Sequence, residues 1–295
     1  MKRQTIFDME RIIDLGKYIE IGINALEENF SFLWSAIDDS ISWTVDQMNE
    51  LLLSIPFVLF MVIVTFMAYY AKTGNKLFTR ESFKKGISLA LFVVSGLFLI
   101  YAMGYWEEAI YTTTLVLVST FIALILGIPF GILSARNKTA DMIIRPILDF
   151  MQTMPAFVYL IPAIFFFSVG NTPGIIATVI FSLPPAVRLT SLGIKNVQSD
   201  VIEAGRAFGA TENQILYKIQ LPLAMPTILT GVNQVILLSL SMVVIASMVG
   251  AKGLGSIVYQ GIQQNDIAKG FESGLGIVIL AIILDRITQS IANKK

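Results

Sequence analysis

Hydrophobic residues in this chain gather into long charge-free runs, separated by short polar segments. From Gly86 to Ala135 the only charged residues are Glu107 and Glu108. A helix needs about 20 mostly apolar residues to cross the hydrocarbon core of a bilayer. A charge at its centre costs on the order of 3 kcal/mol. Such runs therefore read as membrane spans, and the pattern predicts seven: Ile55–Ala71, Ile87–Tyr105, Ala109–Ala135, Ile143–Val169, Pro173–Val187, Leu223–Gly250 and Phe271–Ile287. Pro146, Pro155 and Pro162 lie in the fourth, and Pro184 and Pro185 interrupt the fifth, so breaks are expected there. In the seventh only Ser273–Leu284 is free of charge, which predicts that Glu272 and the Asp285–Arg286 pair lie near the two interfaces.

The region before the first run differs. Residues 1–54 hold four basic residues (Lys2, Arg3, Arg11, Lys17) against ten acidic ones, a net of −6. The first 20 residues lack the apolar core of a cleavable signal peptide. From residue 20 to 50, Ile23, Leu26, Phe30, Leu33, Trp34, Ile37 and Ile41 recur at spacings that include three and four. That spacing predicts an amphipathic helix lying on the membrane, and the alternative is an acidic tail.

Composition agrees with a membrane protein. Of 295 residues, 55% are hydrophobic and 14% are charged, against roughly a quarter charged in a soluble domain. The 21 basic and 21 acidic residues cancel, which leaves no charge bias toward nucleic acid. The chain has neither cysteine nor histidine. It therefore offers no disulfide, no Cys/His metal site, and no cysteine nucleophile or histidine base.

Lys and Arg set an expected orientation. The segments 72–85, 136–145 and 188–218, together with the C-terminal end at Arg286, Lys294 and Lys295, hold 15 basic residues. With seven spans all four regions fall on one side, and the short loops opposite hold only Lys252 and Lys269. The positive-inside rule then places the N-terminus outside and the C-terminus in the cytoplasm.

Between the fifth and sixth spans, residues 199–222 are too polar to cross a membrane. Asp200 followed by Glu203, and Thr211 followed by Gln214, each suit a capping box. Gly209 suits the left-handed residue that ends a first short helix, and Pro222 closes the segment before the sixth span. The pattern predicts a compact helix-turn-helix on the basic face, with Val201, Ile202, Ala204 and Phe208 as its apolar surface. Such an element could be a surface connector, a DNA reader or a docking surface. It carries little positive charge and sits between two spans, which disfavours DNA.

The run Glu203-Ala204-Gly205, three residues, Gly209, nine residues, Ile219-Gln220-Leu221-Pro222 resembles the coupling motif of bacterial ABC importer permeases, with Gly205 where the second Ala is usual. The stretches Pro146–Pro155 with Phe157–Pro162, and Ser239–Gly250 with Ala251–Gly255, look like the permease of glycine betaine/proline betaine importers. The resemblance covers about residues 55–290. It implies an all-α membrane protein with a five-helix type I permease core over 109–290, two scaffold spans over 55–108 and an extracytoplasmic segment over 1–54. It further implies a multi-pass subunit of a bacterial plasma membrane, a second permease copy, two cytoplasmic ATPase subunits that carry ATP and Mg, and an external substrate-binding protein or fused domain. On this chain Asp200, Glu203, Ala204, Gly205, Phe208, Gly209, Ala210 and Thr211 would meet the ATPase, with no cofactor of its own. The absence of a Gly-x-x-x-x-Gly-Lys-Ser/Thr loop agrees.

Polar residues within spans nominate a pathway: Gln152 and Thr153 in the fourth, Asn233, Gln234, Ser239 and Ser241 in the sixth, and Thr112–Thr114 in the third. Each could equally serve helix packing. Asp149 reads as the intramembrane acid and stands four residues after Arg145, which predicts a local ion pair rather than a proton relay. No residue set specifies the substrate. The alternatives are methionine, other amino acids, choline or carnitine within the same transporter class, and, outside it, a channel or an intramembrane enzyme.

Overall fold

The computed structural model describes residues 15–73 and 80–292. Among these residues every regular element is a helix. All seven apolar runs form helices, but not all as straight spans. The helices α5 (Trp106–Arg136), α8 (Asn171–Lys195) and α13 (Ile267–Ala292) are long and apolar enough to cross a bilayer, as is the continuous stretch Glu212–Ser247. The second run becomes α4 (Arg80–Ala102), whose apolar part is Gly86–Ala102. The first becomes α3 (Phe57–Thr73), which meets α2 (Ser31–Ser54) at a 99° bend. Before α2 lies α1 (Leu15–Asn29). The first 14 residues, Lys76, Lys294 and Lys295 lie outside the described residues.

The fourth run is two helices rather than one span. Helix α6 (Lys138–Thr153) and helix α7 (Ala156–Phe167) meet at 101°. The break falls at Met154, extended at ψ 136°, before Pro155. Proline pushes the residue before it out of helical geometry and donates no hydrogen bond, so the chain turns there. The fifth run behaves in the opposite way. Pro184 and Pro185 sit inside an unbroken 25-residue α8, contrary to the expected interruption. Both are buried, and the neighbouring helices hold the chain straight where two backbone donors are missing.

Helix α8 is the centre of the bundle, flanked by α5 and α11 (Leu221–Ser247). Glycines allow these helices to approach closely. A Cβ on Gly127 would lie 2.4 Å from the Cβ of Ala186, and one on Gly131 would lie 2.5 Å from the Cβ of Thr190. Between α8 and α11, Gly193 faces Ala224 and Gly174 faces Ala246. In lipid, where apolar burial drives helices together only weakly, such small-residue contacts let van der Waals packing hold a bundle. Helix α13 packs between this core and the α3–α4 pair, against Val93, Leu97 and Ile100.

At the end of the bundle opposite residues 199–222, three loops are stitched together. Asn171 donates to Tyr111 Oη at 2.7 Å and accepts from the Lys252 backbone at 3.0 Å. The Leu254 N–H donates to Thr112 Oγ1 at 2.8 Å. Leu254 opens α12 (Leu254–Gln264), a short helix that no span pattern indicated. Helix α2 joins the same end through a hydroxyl contact between Ser42 and Thr172 at 3.2 Å, and it buries Ile41 and Val45.

Candidate functional site

Residues 199–222 form the predicted helix-turn-helix, with changes at both ends. Helix α9 (Ser199–Ala207) is followed by α10 (Glu212–Ile215). Asp200 does not cap α9. The helix starts at Ser199, with Gln198 as its N-cap, so Asp200 falls in the first turn, where its charge meets the positive end of the helix dipole. Gly209 adopts φ +79°, the left-handed conformation predicted for it. Thr211 caps α10 and Gln214 completes the reciprocal box: the Gln214 N–H donates to Thr211 Oγ1 at 3.3 Å, and the Thr211 N–H donates to Gln214 Oε1 at 2.8 Å.

Pro222 does not end the element. The chain runs from α10 through a π-helical turn, Leu216–Gln220, into α11, so that Glu212–Ser247 is one 36-residue helix. In a regular α-helix the Pro222 ring would press on the carbonyl four residues back, at Lys218. A wider turn relieves that contact. Helix α9 folds back on this turn: a Cβ added at Gly205 would lie 2.7 Å from the Ile219 side chain. The departure from the usual Ala thus coincides with a close packing contact.

The outer surface of the element is open. Asp200, Glu203, Ala204, Phe208, Gly209 and Thr211 are exposed, and Gly205 and Ala210 are half-buried. Phe208 stands at the tip of the turn, 92% exposed. Single exposed apolar residues are common, and Phe208 is the large one at the tip of this polar turn. The inner side is anchored by residues the sequence motif does not mark. Ile215 and Leu216 are buried, and Leu216 joins the cluster of Ile194, Ala224 and Ile228. Arg136, ending α5, donates to Asn213 Oδ1 at 3.1 Å. Arg206 pairs with Glu212 at 3.0 Å across the turn, and that carboxylate raises the guanidinium pKa further above its ordinary value.

Beside this element a charged cleft of about 370 Å³ opens between α6 and α8. Asp141 accepts from Ser134 and pairs with Arg145 and Lys195, each at 2.9 Å. Asp149 does not pair with Arg145. It is 69% exposed and pairs with Arg188 on α8. The chain's own i, i+4 spacing is satisfied one turn earlier, by Asp141 and Arg145. Two acids are more enclosed than Asp149: Asp141 and, on α13, Asp285, each with a side chain 16% exposed.

The pathway nominees do not gather into one site. Gln152 and Thr153 are exposed at the end of α6, where Thr153 donates to the Phe150 carbonyl at 3.0 Å. Thr112, Thr113 and Thr114 donate to carbonyls of their own helix. Ser239 is fully buried and its hydroxyl has no partner. Asn233 is buried against α13. Gln234 and Ser241 are exposed on one face of α11, in line with Thr230. The Thr230 and Ser241 hydroxyls donate to carbonyls four residues back.

Residues 127–294 match the model of the family described as binding-protein-dependent transport system inner membrane component. The chain is 46% identical over 289 residues to the glycine betaine transport system permease protein OpuAB of Bacillus subtilis, covering 97% of this chain and 98% of the relative. It is 45% identical over 283 residues to the glycine betaine/carnitine transport permease protein GbuB of Listeria monocytogenes, covering 96% of each. It is 42% identical over 280 residues to the glycine betaine/proline betaine transport system permease protein ProW of Escherichia coli, covering 95% of this chain and 75% of that one. Among solved structures it resembles a chain of the MetNI methionine ABC transporter in an inward-facing conformation. There the TM-score is 0.57 at 25% identity, covering 64% of this chain and 95% of that one.

Proposed function

The chain belongs to the family of binding-protein-dependent transport system inner membrane components, and we propose that it is the membrane-spanning permease of an ATP-driven importer for glycine betaine and related quaternary-ammonium solutes. The family implies multi-pass membrane embedding with ATPase and substrate-binding partners. In the proposed assembly two copies of this chain stand side by side on two cytoplasmic ATPase subunits that bind ATP and Mg. An extracytoplasmic protein or fused domain delivers the solute. The N-terminus lies outside and the C-terminus inside, as the Lys/Arg distribution favours. Residues 109–290 serve as the permease core, 55–108 as a scaffold and 1–54 as an outer segment.

The observation that carries the coupling role is the exposed α9–Gly209–α10 tip, joined without a break to a span. ATP binding closes the ATPase pair, and the α9–α10 tip moves with it. The Glu212–Ser247 helix passes that displacement to the membrane interior as a rigid body, and the two copies alternate between inward-open and outward-open states. Thr230, Gln234 and Ser241 line the side of the pathway contributed by α11. A polar stripe exposed on a span is stable where it faces water or protein rather than lipid.

Replacing Phe208 by Asp tests the docking surface. An aromatic anchor at the centre of an interface is worth about 2 kcal/mol or more. Phe208→Asp is therefore expected to weaken copurification of the ATPase at least tenfold, without changing the amount of permease in the membrane. Undiminished copurification would place the ATPase contact elsewhere.

A further inference from the structure

The sequence nominates Asn233 for the pathway, but the structure turns both ends of its side chain onto α13. Its Nδ2 donates to Asp285 Oδ1 at 2.9 Å, and its Oδ1 meets the Thr288 hydroxyl, whose single proton is shared with the Leu284 carbonyl at 2.8 Å and the Asp285 carbonyl at 3.1 Å. Gln289, one turn further along α13, donates to the same Asp285 oxygen at 2.7 Å. Asn233 is 8% exposed. Elsewhere along α11 and α13, Ile236, Leu240 and Val243 form an apolar cluster with Ala281 and Leu284. Apolar surfaces pack helices but leave their axial register soft. Two hydrogen bonds from one amide in opposite senses fix that register. A carboxylate among spans is costly unless it is partnered; here Oδ1 accepts from both helices, and Oδ2 lies 3.9 Å from the Arg286 guanidinium.

The position of the two helices gives this register a consequence. Asn233 lies on the helix that begins at the coupling tip, Glu212–Ser247. Asp285 and Thr288 lie on the helix that also packs against α3 and α4. We propose that Asn233, Asp285 and Thr288 form a clip that forces α13, and with it the scaffold pair, to move with the coupling helix. They are positioning residues for transport and not part of the solute pathway. This inference rests on the importer reading above.

The test uses the whole complex, this chain with its ATPase and its external binding component, in proteoliposomes. Solute uptake and ATP hydrolysis are measured together for wild type, N233D, D285N and the N233D/D285N double variant. N233D removes the donor and sets two carboxylates face to face. It is expected to lower solute taken up per ATP about tenfold, within the range known for coupling networks, while ATPase copurification is unchanged. D285N keeps an acceptor oxygen for Asn233 and Gln289 and is expected to couple normally. In the double variant the amide introduced at 285 donates to the carboxylate introduced at 233, Thr288 still donates to position 233, and coupling is expected to return. A double variant no better than N233D would overturn the clip, as would N233D with wild-type uptake per ATP. N233D that fails to assemble, with the double variant failing alike, would reduce the cluster to a folding contact. A wild-type complex with no ATP-driven uptake would instead remove the importer reading, and the clip's coupling role with it.

Discussion

Gly209→Val abolishes solute-stimulated ATP hydrolysis by the assembled transporter while the chain still reaches the membrane at wild-type level. That is the expected result, and it follows from backbone geometry alone. Gly209 holds φ +79°, with nothing within 4 Å of the position a Cβ would take. No neighbour has to move for a side chain to fit, so the effect does not pass through packing. A β-branched residue in the left-handed region costs on the order of 1–3 kcal/mol. On one side of the turn α9 has nine residues, and a helix that short holds its shape through tertiary contacts rather than by itself; on the other side α10 opens the continuous Glu212–Ser247 helix. The turn would open, Phe208 would point elsewhere, and the Arg206–Glu212 pair across the turn would part. The spans are untouched, so insertion survives. Gly209→Asn should be mild, because Asn tolerates the left-handed region. The check is ATPase activity of the reconstituted complex with and without solute and binding component. Full stimulation in the Val variant would mean that this turn does not transmit.

Gly131→Leu has the opposite signature: no folded permease. Glycine at 131 lets α5 lie directly on α8. A Cβ there would meet Thr190 Cβ at 2.5 Å and the Val187 carbonyl oxygen at 2.7 Å. The second contact is backbone and cannot rotate away. Forcing a leucine into this seam costs on the order of 3 kcal/mol or more, at the junction around which the core is built. Gly131→Ala should be intermediate, and Gly274→Ala, at a position with nothing within 4 Å, should be silent. Monodisperse yield after detergent extraction separates these outcomes. A normal yield of Gly131→Leu would show that α5 and α8 do not meet as described.

What the sequence makes legible is local. Charge-free runs mark the apolar helices, because a bilayer punishes charge irrespective of the partner. Gly209 and the Thr211–Gln214 box are readable because each acts on its own turn. The misreadings involve neighbours. Pro184 and Pro185 look like breaks, but α8 stays whole because α5 and α11 flank it. Asp149 looks paired with Arg145, but its partner is Arg188 on another helix, thirty-nine residues on. Hydropathy says nothing of the partner that Asp285 finds in Asn233 on α11. The same holds at the coupling element. The motif marks its outer face, while Ile215, Leu216 and Arg136, which seat it on the bundle, carry no motif and show only in the packed structure.

The polar stripe on α11 and the substrate stand on different footings. Thr230, Gln234 and Ser241 share an exposed face, which recommends them as pathway residues on geometry. The quaternary-ammonium solute rests on similarity to permeases at 42–46% identity. The rings of Trp34, Phe166 and Phe167 pack on one another at 4.4 to 6.5 Å and so present self-filled contacts rather than an open cage. Under the proposed function, selection falls to the external binding component and this chain is the driven passage.

The central claim, an ATP-driven passage for quaternary-ammonium solutes, is tested most directly by uptake of radiolabelled glycine betaine. The proteoliposomes contain this chain, its copurifying ATPase and its external binding component, with ATP inside. The account predicts accumulation that requires ATP, is competed by unlabelled betaine and is lost in Gly209→Val. An assembled, ATP-hydrolysing complex that takes up no betaine would contradict the substrate, and a chain that recruits no ATPase at all would contradict the importer.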